Sequence, residues 1–94
     1  MTERLEVLHK DPDDVLDYLW DWTEWLANEN DTISSSTFTV ETGLTKNSST
    51  NTTTTATVWL SGGTAGQEYD VTNRIVTTGG RTKDETRRVV VSTQ

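Results

Sequence analysis

Three stretches of the chain alternate apolar and polar residues with the period of two that a half-buried strand imposes, and a fourth reads as a strand by its β-branched residues. Ser34 to Glu41 sets Phe38 and Val40 among small polar residues. Thr53 to Leu60 places Ala56, Val58 and Leu60 on one face and Thr55, Thr57 and Trp59 on the other. Gln67 to Thr77 sets Tyr69, Val71 and Ile75 against Asp70, Thr72 and Arg74. Glu85 to Ser92 is rich in β-branched residues and ends the chain. Between these runs stand turn signals: Asn47-Ser-Ser, Ser61-Gly-Gly-Thr-Ala-Gly and Thr78-Gly-Gly-Arg. Short strands with turns about every 8–12 residues predict an all-β sandwich or barrel.

The front of the chain supports two readings. As a helix, Asp11 is the N-cap and Pro12 the first helical residue, with Val15, Leu19, Trp22 and Leu26 on one face. As a strand, Leu16, Tyr18, Trp20 and Trp22 alternate with Asp17, Leu19, Asp21 and Thr23. Periodicity by itself favours the helix. One local pattern further on is more specific: Gly66-Gln-Glu-Tyr69-Asp-Val71 follows directly on a turn. In immunoglobulin-like sandwiches a tyrosine near the start of strand F bonds back to the preceding corner, and Tyr69 is placed for that role. Gly79-Gly80-Arg81 then turns strand F into the last strand.

Composition changes the picture in three ways. The chain holds 20 threonines and 7 serines among 94 residues. Interleaved Phe38, Val40, Val58, Trp59 and Leu60 assign most of these to strand faces, leaving residues 45–54 as an expected mobile hairpin or partly disordered loop. Hydrophobic content of 31% predicts a thin core. We take residues 1–10 as an N-terminal arm and residues 11–94 as one sandwich domain. The net charge of −7 is uneven: residues 1–31 carry ten of the fifteen acids with only Arg4 and Lys10 against them, and the remainder is nearly neutral.

Candidate chemistry is sparse. The absence of cysteine excludes a disulfide scaffold, a cysteine–zinc site and thiol catalysis. His9 is the one imidazole, expected as an exposed tail residue, and no G-x-S-x-G elbow accompanies it. Asp11, Asp13, Asp14 and Asp17 fail the EF-hand spacing, because Val15 takes a ligand position and Leu16 the place of the glycine. No cofactor or metal is expected. The acidic balance argues against nucleic acid or an anionic membrane as partner. No apolar run flanked by basic residues marks a signal peptide, so synthesis and use without secretion are expected. Arg81, Lys83, Arg87 and Arg88 form a small basic cluster able to complement an acidic stretch of a neighbouring copy or another protein. Four tryptophans exceed the single central Trp that such a sandwich commonly buries. We therefore expect a core of Tyr18, Trp22, Leu26, Phe38, Val58, Leu60, Tyr69, Val71 and Ile75, and an interface of Trp20, Trp25, Trp59, Arg81, Arg87 and Arg88.

Several segments taken in order resemble a known family. They are Lys10-Asp-Pro-Asp-Asp-Val-Leu-Asp-Tyr, Asp21-Trp-Thr-Glu-Trp-Leu, Asp31-Thr-Ile, Trp59-Leu-Ser-Gly-Gly-Thr-Ala-Gly, Tyr69-Asp-Val-Thr-Asn-Arg-Ile and Gly80-Arg-Thr. Their order and spacing resemble small virion proteins of tailed bacteriophages, the fibre–tail adaptor or fibre-like proteins, over residues 9 to 92. The resemblance implies an immunoglobulin-like antiparallel sandwich of about seven strands and no enzymatic activity, so no catalytic residues carry over. It implies that Leu16 to Leu26 is strand B, followed by a turn at Asn28-Glu-Asn-Asp, with Trp22 packed toward Tyr69. It also implies a structural virion subunit, a tail or fibre adaptor or capsid decoration, whose partners are other virion proteins and copies of itself in a symmetric assembly. Exposed tryptophans also suit an alternative, a module that binds a host-surface glycan.

Overall fold

The computed structural model describes residues 6–93. The chain forms β1 (Glu6–Lys10), β2 (Leu16–Asp21), α1 (Thr23–Glu29), β3 (Ile33–Val40), β4 (Leu44–Asn51), β5 (Thr55–Gly62), β6 (Glu68–Thr77) and β7 (Thr82–Val91). Two sheets face each other, one ordered β1-β7-β6-β3 and the other β2-β5-β4. Neighbouring strands are antiparallel except β1, which lies parallel to β7. Setting β2, β5 and β4 against β3, β6 and β7 is compatible with an immunoglobulin-like sandwich, whose B, E, D and C, F, G strands divide the same way.

Alternation decides which side of each strand is buried. Ala56, Val58 and Leu60 of β5 and Tyr69, Val71, Asn73, Ile75 and Thr77 of β6 point inward, joined by Phe38, Val89 and Val91. A one-residue slip of either strand would turn its own inward set out into water, so the register is strongly specified.

The front end departs from both sequence readings: no helix starts at Asp11 and Pro12, where the chain turns, and Leu16–Asp21 is a strand. The strand stops at Asp21, well short of Leu26, and Thr23–Glu29 is helical. The Asp21 carboxylate accepts hydrogen bonds from the Thr23 N–H (3.0 Å) and hydroxyl (2.6 Å), which caps the helix from one position outside it. Asn30, at φ 53°, adopts the left-handed conformation that ends it. Consequently Asn28 and Glu29, expected in a turn, are the last helical residues. On β6 the partner of Trp22 is Asn73, which accepts its indole N–H at 2.8 Å.

Residues 45–54, expected to be loose, are mostly β4, paired with β5 from Leu44 to Asn51. Asn47, read as a turn signal, sits at a register shift between Lys46 and Ser48 and accepts a hydrogen bond from Ser61. The turn itself is Thr52–Thr54, where the Thr52 hydroxyl oxygen accepts the N–H groups of Thr54 and Thr55. The main chain beyond each end of α1 is fastened to this turn: Trp22 N–H bonds to Thr54 O and Ile33 N–H to Thr53 O.

Part of the expected N-terminal arm belongs to a sheet. Residues 1–5 lie outside the described residues, whereas Glu6–Lys10 is β1, in register with Arg87–Val91. His9 stands on this strand with its side chain exposed. Lys10 is buried, and its ammonium donates to the carbonyls of Asp11 (2.8 Å) and Gly62 (2.7 Å), tying the end of β1 to the end of β5. Tyr69 is buried with its hydroxyl accepting the Thr64 N–H, five residues upstream, at 3.0 Å. Gly43, at φ +109°, lies against this ring, where an added Cβ would come within 2.7 Å of Tyr69 Cε1.

Candidate functional site

Burial redistributes the four tryptophans. Trp20, expected at an interface, is fully buried: it meets Phe38 edge to face at 5.1 Å, and its indole N–H donates to Glu85 O. Strand parity explains this, because Trp20 shares the inward face of β2 with Tyr18 opposite Ala56 and Val58. Trp22 is buried, while Trp25 is half-buried between the Trp22 ring and the Lys83 ammonium, 5.8 Å from its centroid. Only Trp59 is exposed, at 41%. Tyr18, expected in the core, is half-buried and its hydroxyl donates to the His9 carbonyl.

The arginines singled out in the sequence are engaged within the chain. Arg81 pairs with Glu29 and Asp31, joining the end of α1 to the β6–β7 turn. Arg87 lies over the Trp20 ring at 4.4 Å, pairs with Glu85 and donates to the Leu19 carbonyl. Arg88 faces Glu68 and Asp70, and Arg74 binds Asp84 through two nitrogens.

Asp31 anchors the first of these groups. It accepts from the Thr32 and Gly79 N–H groups and the Thr78 hydroxyl. The Thr77 hydroxyl first, with Thr32, Thr78 and Gly79 adding, holds its carboxyl well below the usual carboxylate range. Arg74 likewise lowers Asp84. A carboxyl whose pKa is depressed in the folded state stabilises the fold above its unfolded pKa, about 4, and loses that contribution as pH falls toward the folded value. The thermal midpoint is thus expected to decline below about pH 4, the unfolded carboxylate pKa. Asp31→Asn should lie well below the wild type at pH 7 and approach it in acid. Equal spacing of the two midpoints at every pH, measured by circular dichroism, would contradict this.

The other acids of the front end behave differently. Asp11, Asp13 and Asp14 build the β1–β2 turn: Asp13 N–H donates to the Asp11 carboxylate and Asp11 N–H to that of Asp14. Among the described residues no group of three or more His, Cys, Asp or Glu is arranged to hold a metal ion, and no helix is long and apolar enough to cross a membrane. Asp17 and Asp21 project from the outward face of β2 with Leu19 between them, and Leu19 is 51% exposed. In the register Asp17 faces Trp59 and Leu19 faces Thr57, so Leu19 and Trp59 are diagonal neighbours on the outside of the sheet. An open groove lined by Asp21, Thr23, Glu24 and Ala27 continues this face onto α1. The sequence reading did not select Leu19, although the strand alternation already placed it among Asp17, Asp21 and Thr23. An apolar residue out of phase was the available signal.

No curated protein matches the chain. A family model described as podophage GP4 fiber-tail adaptor protein gp77 matches residues 10–90, from the last residue of β1 almost to the end of β7. Since the match takes in both sheets and the helix between them, the chain belongs to this podophage fibre–tail adaptor family, a family of structural phage components.

Proposed function

We propose that the protein is a non-enzymatic adaptor of a tailed-phage virion, joining tail and fibre proteins by association, with its copies set out by the symmetry of the particle. The family match across both sheets carries this reading. The fold supports it physically. A small sandwich with a thin core gains stability from partners that bind only its native state. Strands stiffened by cross-sheet contacts present side chains in fixed positions, which limits the ordering cost of association. Glycan recognition has less to stand on, since of the tryptophans only Trp59 offers an exposed ring.

The expected result is that mass spectrometry of purified particles finds the chain at fixed stoichiometry in the tail fraction. Its absence from particles, with the protein recovered free in the lysate, would overturn the proposal. Recovery with capsids stripped of tails would point to capsid decoration instead.

A further inference from the structure

We infer that the outer face of the β2-β5-β4 sheet, centred on Leu19 and Trp59 and rimmed by Asp17 and Asp21, docks a basic surface of a different protein. The inference rests on the adaptor reading and gives it a surface and a partner chemistry.

Three observations converge on this face. Leu19 and Trp59 are 51% and 41% exposed and lie diagonally across two paired strands, so their apolar surfaces form one patch. An apolar aromatic centre inside a polar rim is the anatomy of a protein-binding hot spot, and here Asp17, Asp21, Thr55 and Thr57 surround the centre. The main chain beneath the patch is also tied across the sandwich. Arg87 reaches from β7 to donate to the Leu19 carbonyl while lying over Trp20, which lowers the ordering cost of docking there.

The outer face of the opposite sheet is different. There Arg74 binds Asp84, Arg88 faces Asp70 and Glu68, and Thr72 bonds to Thr86, so its charged groups already have partners.

Charge identifies the occupant. Asp13, Asp17, Asp21 and Glu24 take part in no ion pair among the described residues, whereas Arg74, Arg81, Arg87 and Arg88 are all paired within the chain. Lys10 is buried and Lys83 lies over Trp25, so of the described lysines and arginines a second copy would offer this face only Lys46 outside any such contact. Set face to face it would bring Asp17 and Asp21 against themselves, a repulsive arrangement. The complement is a lysine- or arginine-bearing surface with an apolar recess for Trp59, supplied by another protein of the particle.

The test uses virions assembled without this chain, to which purified full-length protein is added back. Wild-type protein is expected to bind, more weakly as salt is raised. Trp59→Ala and Leu19→Ser should weaken binding roughly tenfold or more, as loss of a hot-spot side chain does. Asp17→Lys should weaken it as well. Arg74→Gln, on the opposite face, should bind like the wild type, and circular dichroism melts should show all variants folded. Wild-type binding with unchanged affinity for the folded Trp59→Ala and Leu19→Ser variants would overturn this face while leaving the adaptor reading intact. Failure of the wild type to bind any particle would overturn the adaptor reading itself. A concentration-dependent dimer in sedimentation, abolished by Trp59→Ala, would replace the basic partner with a second copy.

Discussion

Trp20→Ala is expected to cost about 4 kcal/mol, the range for truncating a fully buried aromatic. The ring touches nothing but protein. Its removal leaves a cavity beside Phe38, the Glu85 carbonyl without its indole donor, and the Arg87 guanidinium without the surface beneath it. A domain of this size has roughly 5–15 kcal/mol in total, so the loss takes a large share. The thermal midpoint should fall by on the order of 15–30 °C. Trp59→Ala, on the outer face, should remain within about 0.5 kcal/mol of the wild type. Urea titrations of both variants would check the contrast. A Trp20→Ala variant as stable as Trp59→Ala would mean that Trp20 does not fill the core.

Asn73→Ala is expected to be the second most damaging change. Asn73 is fully buried on the inner face of β6, and its amide is satisfied on both sides. Its oxygen accepts the Trp22 indole N–H at 2.8 Å, and its nitrogen donates to the Ser36 hydroxyl (2.8 Å) and the Thr37 carbonyl (3.1 Å). Alanine would leave the buried indole N–H without its acceptor and take the amide donor from the Ser36 hydroxyl and the Thr37 carbonyl, at about 1–3 kcal/mol for each group left unsatisfied. We expect a total near 3 kcal/mol on that scale. The asymmetry between one and two lost partners offers a sharper measurement. Trp22→Phe removes the donor that Asn73→Ala strands, so the double variant should cost less than the two single changes together, by about 1 kcal/mol. Strict additivity in a double-mutant cycle would show that the indole–amide contact carries no coupling.

Both residues show how far the sequence could be read. Trp20 and Trp22 share strand parity, which would have placed them on one face had the strand reading been followed by itself. The expectation of surplus tryptophan at an interface overrode that parity, and burial of Trp20 restores it. Asn73 lies in phase with Tyr69, Val71 and Ile75, so its inward position was legible in the alternation. Its reason for being there was not. The Trp22 indole comes from the junction of β2 and α1, 51 residues away in the chain. The Thr-rich stretch is a further case. Composition alone makes Thr52–Thr54 look loose, yet that turn accepts the N–H groups of Trp22 and Ile33 from either side of α1. Order there comes from a distant segment.

By itself the sequence determined the strands that alternate, the glycine turns between β5, β6 and β7, the placing of Tyr69, and the excess of acid at the front. These are local quantities, set by a side-chain period of two and by the backbone freedom of turn residues. It took the tertiary structure to settle where β2 gives way to α1, that β1 joins the sheet beside β7, and that Arg74, Arg81, Arg87 and Arg88 are paired within the chain. That structure also left Leu19 and Trp59 facing outward beside Asp17 and Asp21, which form no ion pair among the described residues. Each of these depends on groups far apart in the chain meeting in space, and no local pattern encodes which distant carboxylate, carbonyl or ring a side chain will reach.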